Sequence, residues 1–326
     1  MRKVYDNIYL IEIPLRGNPL KSLNSFIIKG EGTNLIVDTG FNTRENQELI
    51  LKALDELEID LNKTILFLTH SHADHTGLAS FLEKKGVRVY VSAIEGKLIN
   101  DSIHKESKLW KEIVDRAILQ GLGEDNLTLE EHPGYKFRPV EKLNYTRLEA
   151  GEELKIGPYT FEAIDLKGHT PGLLGLYERK HKIFFCGDHI LGRISPNITF
   201  WGFEYGDMLG EYYKSLDKVY NMDIDYLFSS HRELIDDYRT RIGEIKNHHE
   251  KRLEETREIL RRLGKSSVRT VAKNLQWDIR SKNWGDFPSS QKWFAAGEAH
   301  AHLERLGALG EVDYDIEGGL IYYRLA

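Results

Sequence analysis

A short apolar run, Ile65-Leu66-Phe67-Leu68, leads directly into Thr69-His70-Ser71-His72-Ala73-Asp74-His75. The run reads as a buried strand, so three histidines and an aspartate sit on the loop at its end. Neutral imidazole and carboxylate are the donors that suit zinc and related divalent ions. Four such groups packed this closely cannot easily point at one ion, and two ions fit better.

Three further segments carry the same donors at the same kind of place. His169 lies in Lys167-Gly168-His169-Thr170-Pro171-Gly172, a turn between two strand-like runs. Asp188 ends the apolar run Phe184-Phe185-Cys186-Gly187, and His231 follows Tyr226-Leu227-Phe228-Ser229-Ser230. In this order, HxHxDH, GHTPG, GD and a late SH, the chain resembles the metallo-β-lactamase fold superfamily over roughly residues 4 to 235. The resemblance implies a four-layer αββα sandwich with metals at one sheet edge. It implies that His70, His72 and His169 hold a first ion, that Asp74, His75 and His231 hold a second, and that Asp188 bridges them. It also implies a dinuclear-metal hydrolase that attacks through a bridging hydroxide, with Asp74 as a metal ligand that can also carry a proton. Zinc is the expected metal, and manganese or iron would accept the same donors.

The remaining histidines carry no such motif. His104, His132, His181, His300 and His302 match nothing, His189 is read as structural or pocket-lining, and His248 and His249 are expected to be solvated on a charged helix. Asp38, in Leu35-Ile36-Val37-Asp38-Thr39-Gly40, resembles a recurring turn of the superfamily and is expected to brace the metal loop by hydrogen bonds.

Hydrophobic residues make up 40% of the chain and charged ones 29%, which fits a folded core. The net charge of −6 gives no general attraction to nucleic acid or to an anionic membrane. A single cysteine, Cys186, excludes an intrachain disulfide and suits a reducing compartment. With no apolar leader or membrane-length run visible, a cytoplasmic location is expected.

Strand-like runs over residues 4–40, 64–68 and 87–92 alternate with a helical pattern at 43–58, and a second set of strands spans 144–187. Between them, Leu109, Trp110, Ile113, Val114, Ala117 and Ile118 mark an amphipathic helix, either a cover for the site or a layer on the sheet. The Gly-rich segment 192–206 follows the Asp188 loop. Phe200, Trp201, Phe203 and Tyr205 there are candidate contacts for an apolar part of the substrate. Arg193 is a candidate for an anionic group, and Tyr212 for a further pocket contact.

Two units are expected: a catalytic one over 1–236 and a tail over 237–326. The tail reads as a long charged helix, two shorter helices and a hairpin around Glu317-Gly318-Gly319, which resembles a winged-helix module. Some tailed relatives in the superfamily cleave RNA. In this tail Lys and Arg outnumber Asp and Glu only by 16 to 14, and the wing carries Glu311, Asp313, Asp315 and Glu317. That is a weak footprint for phosphate, so packing or homo-oligomer formation is favoured over nucleic-acid binding. The expected substrate is a small acyl thioester or ester, as in glyoxalase II-like and acyl-thioesterase relatives. Lactone hydrolysis, endoribonuclease action and a catalytically silent metal-binding protein stand as alternatives.

Overall fold

The computed structural model describes residues 1–326. Seven strands form the first sheet in chain order: β1 (Arg2–Tyr5), β2 (Ile8–Pro14), β3 (Ser22–Ile28), β4 (Asn34–Val37), β5 (Thr64–Phe67), β6 (Arg88–Val91) and β7 (Thr146–Arg147). It is antiparallel from β1 to β4 and parallel from β4 to β7. The second sheet holds β8 (Glu153–Ile156), β9 (Tyr159–Asp165), β10 (Leu174–Glu178), β11 (Ile183–Gly187) and β12 (Tyr226–Ser229), in the order β12-β11-β10-β9-β8.

Alternation along each strand explains the layering, because successive side chains point to opposite faces. In β2, Ile8 and Leu10 join the core between the sheets, while Ile11 and Ile13 face the helix Arg44–Glu56 outside. In β11, Ile183 and Phe185 point inward, and Phe184 and Cys186 point outward. Both faces are buried, so these strands read as continuous apolar runs. Between the sheets, Phe26, Phe185 and Phe228 pack with ring centroids 5.1 Å apart. The result is a four-layer αββα sandwich with helices on both outer faces.

The tail continues one outer layer. The helices Met208–Tyr220 and Tyr238–Leu263 cover the second sheet, and their apolar faces share one core with Val268, Ala295, Ala299, Leu303 and Tyr323. A small sheet of β13 (Ser266–Ser267), β14 (Val312–Glu317) and β15 (Leu320–Leu325) runs in the order β13-β15-β14, next to the helices Val268–Asn274 and Ser289–Ala308. His249, expected at the surface, is buried: its Nδ1 lies 3.2 Å from Nε2 of His302. The long helix packs against the helix Ser289–Ala308 on this face, and burial holds both imidazoles far below their ordinary pKa. No helix is long and apolar enough to cross a membrane.

Candidate metal centre

Each donor segment leaves the end of a strand. The loop after β5 carries His70 and His72 and turns into the short helix Ala73–Thr76, which presents Asp74 and His75. His169 follows β9, Asp188 follows β11 and His231 follows β12. Asp188 reaches the cluster through a sharp turn at Gly187, whose φ of +57° lies in the left-handed region. A Cβ on Gly187 would stand 2.9 Å from that of Thr69, so a side chain here would push the two donor loops apart.

All seven residues converge. Nδ1 of His72 lies 3.0 Å from Nε2 of His70 and 3.1 Å from Nε2 of His169. Asp188 sits between the two ends: one oxygen is 3.5 Å from His75 Nε2 and 3.7 Å from His169 Nε2, and the other is 3.4 Å from His231 Nε2. Asp74 is 3.4 Å from the same His231 nitrogen. Three sets of donor atoms fall within 4.8 Å of one another: His70, His72 and His169; His70, His75 and Asp188; Asp74, His75 and His231.

The outward nitrogens of four of the histidines are tied down. His75 Nδ1 donates to Asp38 at 2.7 Å, His169 Nδ1 to the Asn197 carbonyl at 2.8 Å, His231 Nδ1 to the Ser22 carbonyl at 2.8 Å, and His70 Nδ1 to Thr69 Oγ1 at 3.0 Å. Such bonds fix the tautomer and aim the lone pair of Nε2 inward. His75 Nε2, His231 Nε2 and one oxygen of Asp188 are buried with no hydrogen-bond partner. Unpaired buried polar atoms are rare and need an explanation, and a bound cation is one that fits nitrogen and carboxylate donors aimed at a common centre.

The electrostatics agree. Burial pushes His231 down, yet Asp188 and Asp74 outweigh it and raise its pKa to about 10. Burial likewise opposes a charge on His75, but Asp38, Asp188 and Asp74 hold it well above the ordinary value. Three carboxylates here favour positive charge. At the other end, burial and then the neighbouring His169 lower His72 to about 3, which leaves a neutral imidazole able to donate a lone pair.

Asp38 adopts a φ of +57° and accepts from Thr69 N–H at 2.9 Å and Thr69 Oγ1 at 2.8 Å, as well as from His75. It braces the donor loop, as its Asp-Thr-Gly turn suggested. Glu95 does similar work and was missed: buried, it accepts from Ser71 N–H at 2.8 Å and Gly172 N–H at 2.7 Å, so it joins two donor loops. Its only local signal is Ser92-x-x-Glu95, which reads as a capping box. Ser92 does cap the helix, but the Glu95 carboxylate turns to the loops instead.

Of the candidate substrate contacts, Trp201 stands beside the cluster, its ring stacked 6.4 Å from that of His72 and its Nε1 donating to the His169 carbonyl at 3.1 Å. Tyr205 is half-buried. Phe200 and Phe203 line a separate cavity of about 370 Å³ with Arg116 and Glu204, which none of the seven donors borders. Tyr212 is fully buried and its hydroxyl donates to the His189 carbonyl, so it supports the loop and presents no atom to a ligand. Arg193 points to solvent in an ion pair with Glu233 at 3.0 Å. The helix Lys108–Leu119 touches the aromatic loop through Arg116, which donates to the Trp201 carbonyl at 2.7 Å.

Comparison with known proteins gives this arrangement its lineage. The chain is 31% identical over 165 residues to hydroxyacylglutathione hydrolase GloC of Haemophilus influenzae, covering 50% of this chain and 64% of that protein, which is less than two thirds of its length. It is 23% identical over 313 residues to the probable metallo-hydrolase YqjP of Bacillus subtilis, covering 92% of each. A metallo-beta-lactamase family protein from Thermus thermophilus superposes with a TM-score of 0.80 at 24% identity, over 99% of this chain and 100% of that one. Residues 19–231 match the profile of the metallo-beta-lactamase superfamily, and the chain belongs to that family of metal-dependent hydrolases.

Proposed function

We propose that this protein hydrolyses a small acyl thioester or ester at a centre of two divalent ions. His70, His72 and His169 would hold one ion, Asp74, His75 and His231 the other, and Asp188 both, with zinc the expected metal. The observation that carries the reading is the set of unpartnered His75, His231 and Asp188 atoms aimed inward at a cluster in which His70, His75, His169 and His231 have their outer nitrogens engaged. The acyl substrate class is supported by the similarity to GloC and to the acyl-coenzyme A thioesterase MBLAC2 of Gallus gallus, 24% identical over 171 residues.

When bound, divalent ions supply Lewis acidity and bring the pKa of a coordinating water toward about 7. The chain's own groups do the rest. Asp74 is the more accessible of the two clustered carboxylates, its side chain 13% exposed against 8% for Asp188. His75 and His231 outweigh burial and hold its pKa at about 2, so at neutral pH it is an ionised carboxylate able to bind a cation. Trp201 forms a flat wall next to His72 that orients an acyl chain and keeps water from that side. We also read residues 1–236 as the catalytic unit and 237–326 as an appended one.

The test is hydrolysis by metal-loaded protein of acyl-glutathione and acyl-coenzyme A thioesters, set against lactones and single-stranded RNA, with Asp188→Ala as the blank. Thioester cleavage that vanishes in the blank supports the reading. Cleavage of RNA alone would overturn it and make the tail a nucleic-acid guide.

A further inference from the structure

The segment 191–202 grips His169 at two points. The Asn197 carbonyl accepts from His169 Nδ1 at 2.8 Å, and Trp201 Nε1 donates to the His169 carbonyl at 3.1 Å. The segment contains no helix or strand, so its position comes from what it leans on. It leans on the tail helix Ser289–Ala308. Asn197 Nδ2 donates to Glu298 at 2.9 Å, Phe200 N–H donates to the Gly297 carbonyl at 3.0 Å, and the Phe200 ring lies 3.7 Å from that of His300. Gly297 permits this approach: a Cβ there would meet Thr199 Oγ1 at 2.0 Å. Glu298 is buried, and its second oxygen stands 3.6 Å from Arg252 of the long helix. A buried carboxylate placed between an amide donor and a guanidinium is held from both sides.

We propose that the C-terminal helix is part of the metal centre's support: Glu298, Gly297 and Asn197 are positioning residues that fix His169. The proposal rests on the reading of the seven-residue cluster as a metal centre. It gives the tail a role in the chemistry that needs neither nucleic acid nor a second copy of the chain. The Asn197 main-chain carbonyl aims the imidazole, and its side chain ties that carbonyl to a helix about a hundred residues away.

The test uses the full chain, stripped of metal and titrated with Co²⁺ against a chromophoric chelator. The Co²⁺ absorption bands report the geometry of each site. Asn197→Ala removes the side-chain tie and keeps the carbonyl, Glu298→Ala removes its acceptor, and Gly297→Ala adds a methyl group where the loop must sit. Each should weaken one of two sites by about 10–100-fold, the usual range for groups that orient a ligand. Each should also lower kcat with little change in KM. Glu298→Gln keeps an acceptor oxygen and should restore most of the affinity. Asp313→Ala, on the exposed face of the hairpin, should leave both sites unchanged. If Gly297→Ala does not fold, Asn197→Ala, which only removes atoms, decides. Folded Asn197→Ala and Glu298→Ala proteins with wild-type affinity at both sites would overturn the proposal. A wild-type chain that takes up no Co²⁺ would instead overturn the metal reading beneath it.

Discussion

His75 and His169 present the same atom, Nε2, to the same oxygen of Asp188, at 3.5 and 3.7 Å, yet they are held by different parts of the molecule. His75 is braced within the first sheet. Asp38, at the end of β4, binds its Nδ1 and the Thr69 backbone at once, and Ser230 Oγ lies 3.4 Å from the same carboxylate. His169 is braced by an irregular segment that in turn rests on the tail. One end of the cluster therefore inherits the rigidity of paired strands, and the other depends on long-range contacts between a loop and a helix. Strand-backed donors are insensitive to changes far away, whereas loop-backed donors are where distant substitutions can reach the site.

Asp188→Ala should break the comparison outright, because it removes the one residue that faces both ends. Hydrolysis should fall by at least on the order of 10³-fold in steady-state assays of metal-replete protein. Full activity in that variant would reject the bridging role. Asp38→Ala should act next most strongly, and at the His75 end. It strands Thr69 N–H, Thr69 Oγ1 and His75 Nδ1 in a buried site, at about 1–3 kcal/mol for each unsatisfied group. Denaturant unfolding should show a loss of a few kcal/mol. A stability equal to the wild type would mean that Asp38 is not the brace.

The tail end is sharpened by pH. Burial and Arg116 hold His300 at about 3 against an ordinary 6.5, where it packs on Phe200 with Gln120 and Tyr323 on its nitrogens. A depressed folded-state pKa means that the unfolded chain takes the proton first. This contribution is therefore complete above about pH 6.5 and declines as the pH falls toward 3. Between pH 7 and 5 the loss should be on the order of 2 kcal/mol. His300→Gln should flatten that part of the pH dependence, and an unchanged slope would refute the buried neutral imidazole. The smallest expected effect is at Trp201. Trp201→Ala should raise KM for a long acyl thioester by about 10-fold, the size of one aromatic contact. Trp201→Phe, which keeps a ring and loses the bond to His169, should spare KM and lower kcat. Equal effects on both constants in the two variants would remove Trp201 from the substrate wall.

The first end of this comparison is legible in the sequence and the second is not. An apolar strand with donors immediately after it marks His70 to His75, Asp188 and His231, because the residues that leave a strand end emerge at the sheet edge. The Asp-Thr-Gly turn marks Asp38 for the same reason. Asn197 and Glu298 leave no such trace. They meet across 101 residues of chain, in a loop and on the inner face of a tail helix that looks ordinary by composition. Glu95 is hidden behind a local pattern that already explains it, and His249 behind the charges around it on the long helix. Aromatic residues in a Gly-rich loop pointed to Trp201, but the same cue also picked out Phe200 and Phe203, which pack toward the tail.

The most direct test of the account is the metal content of the purified chain, measured by elemental analysis after saturation with Zn²⁺ and removal of loosely bound ions. The account predicts two ions per wild-type chain and fewer than two in Asp188→Ala. A wild-type chain that retains none, or an Asp188→Ala chain that retains two, would contradict it.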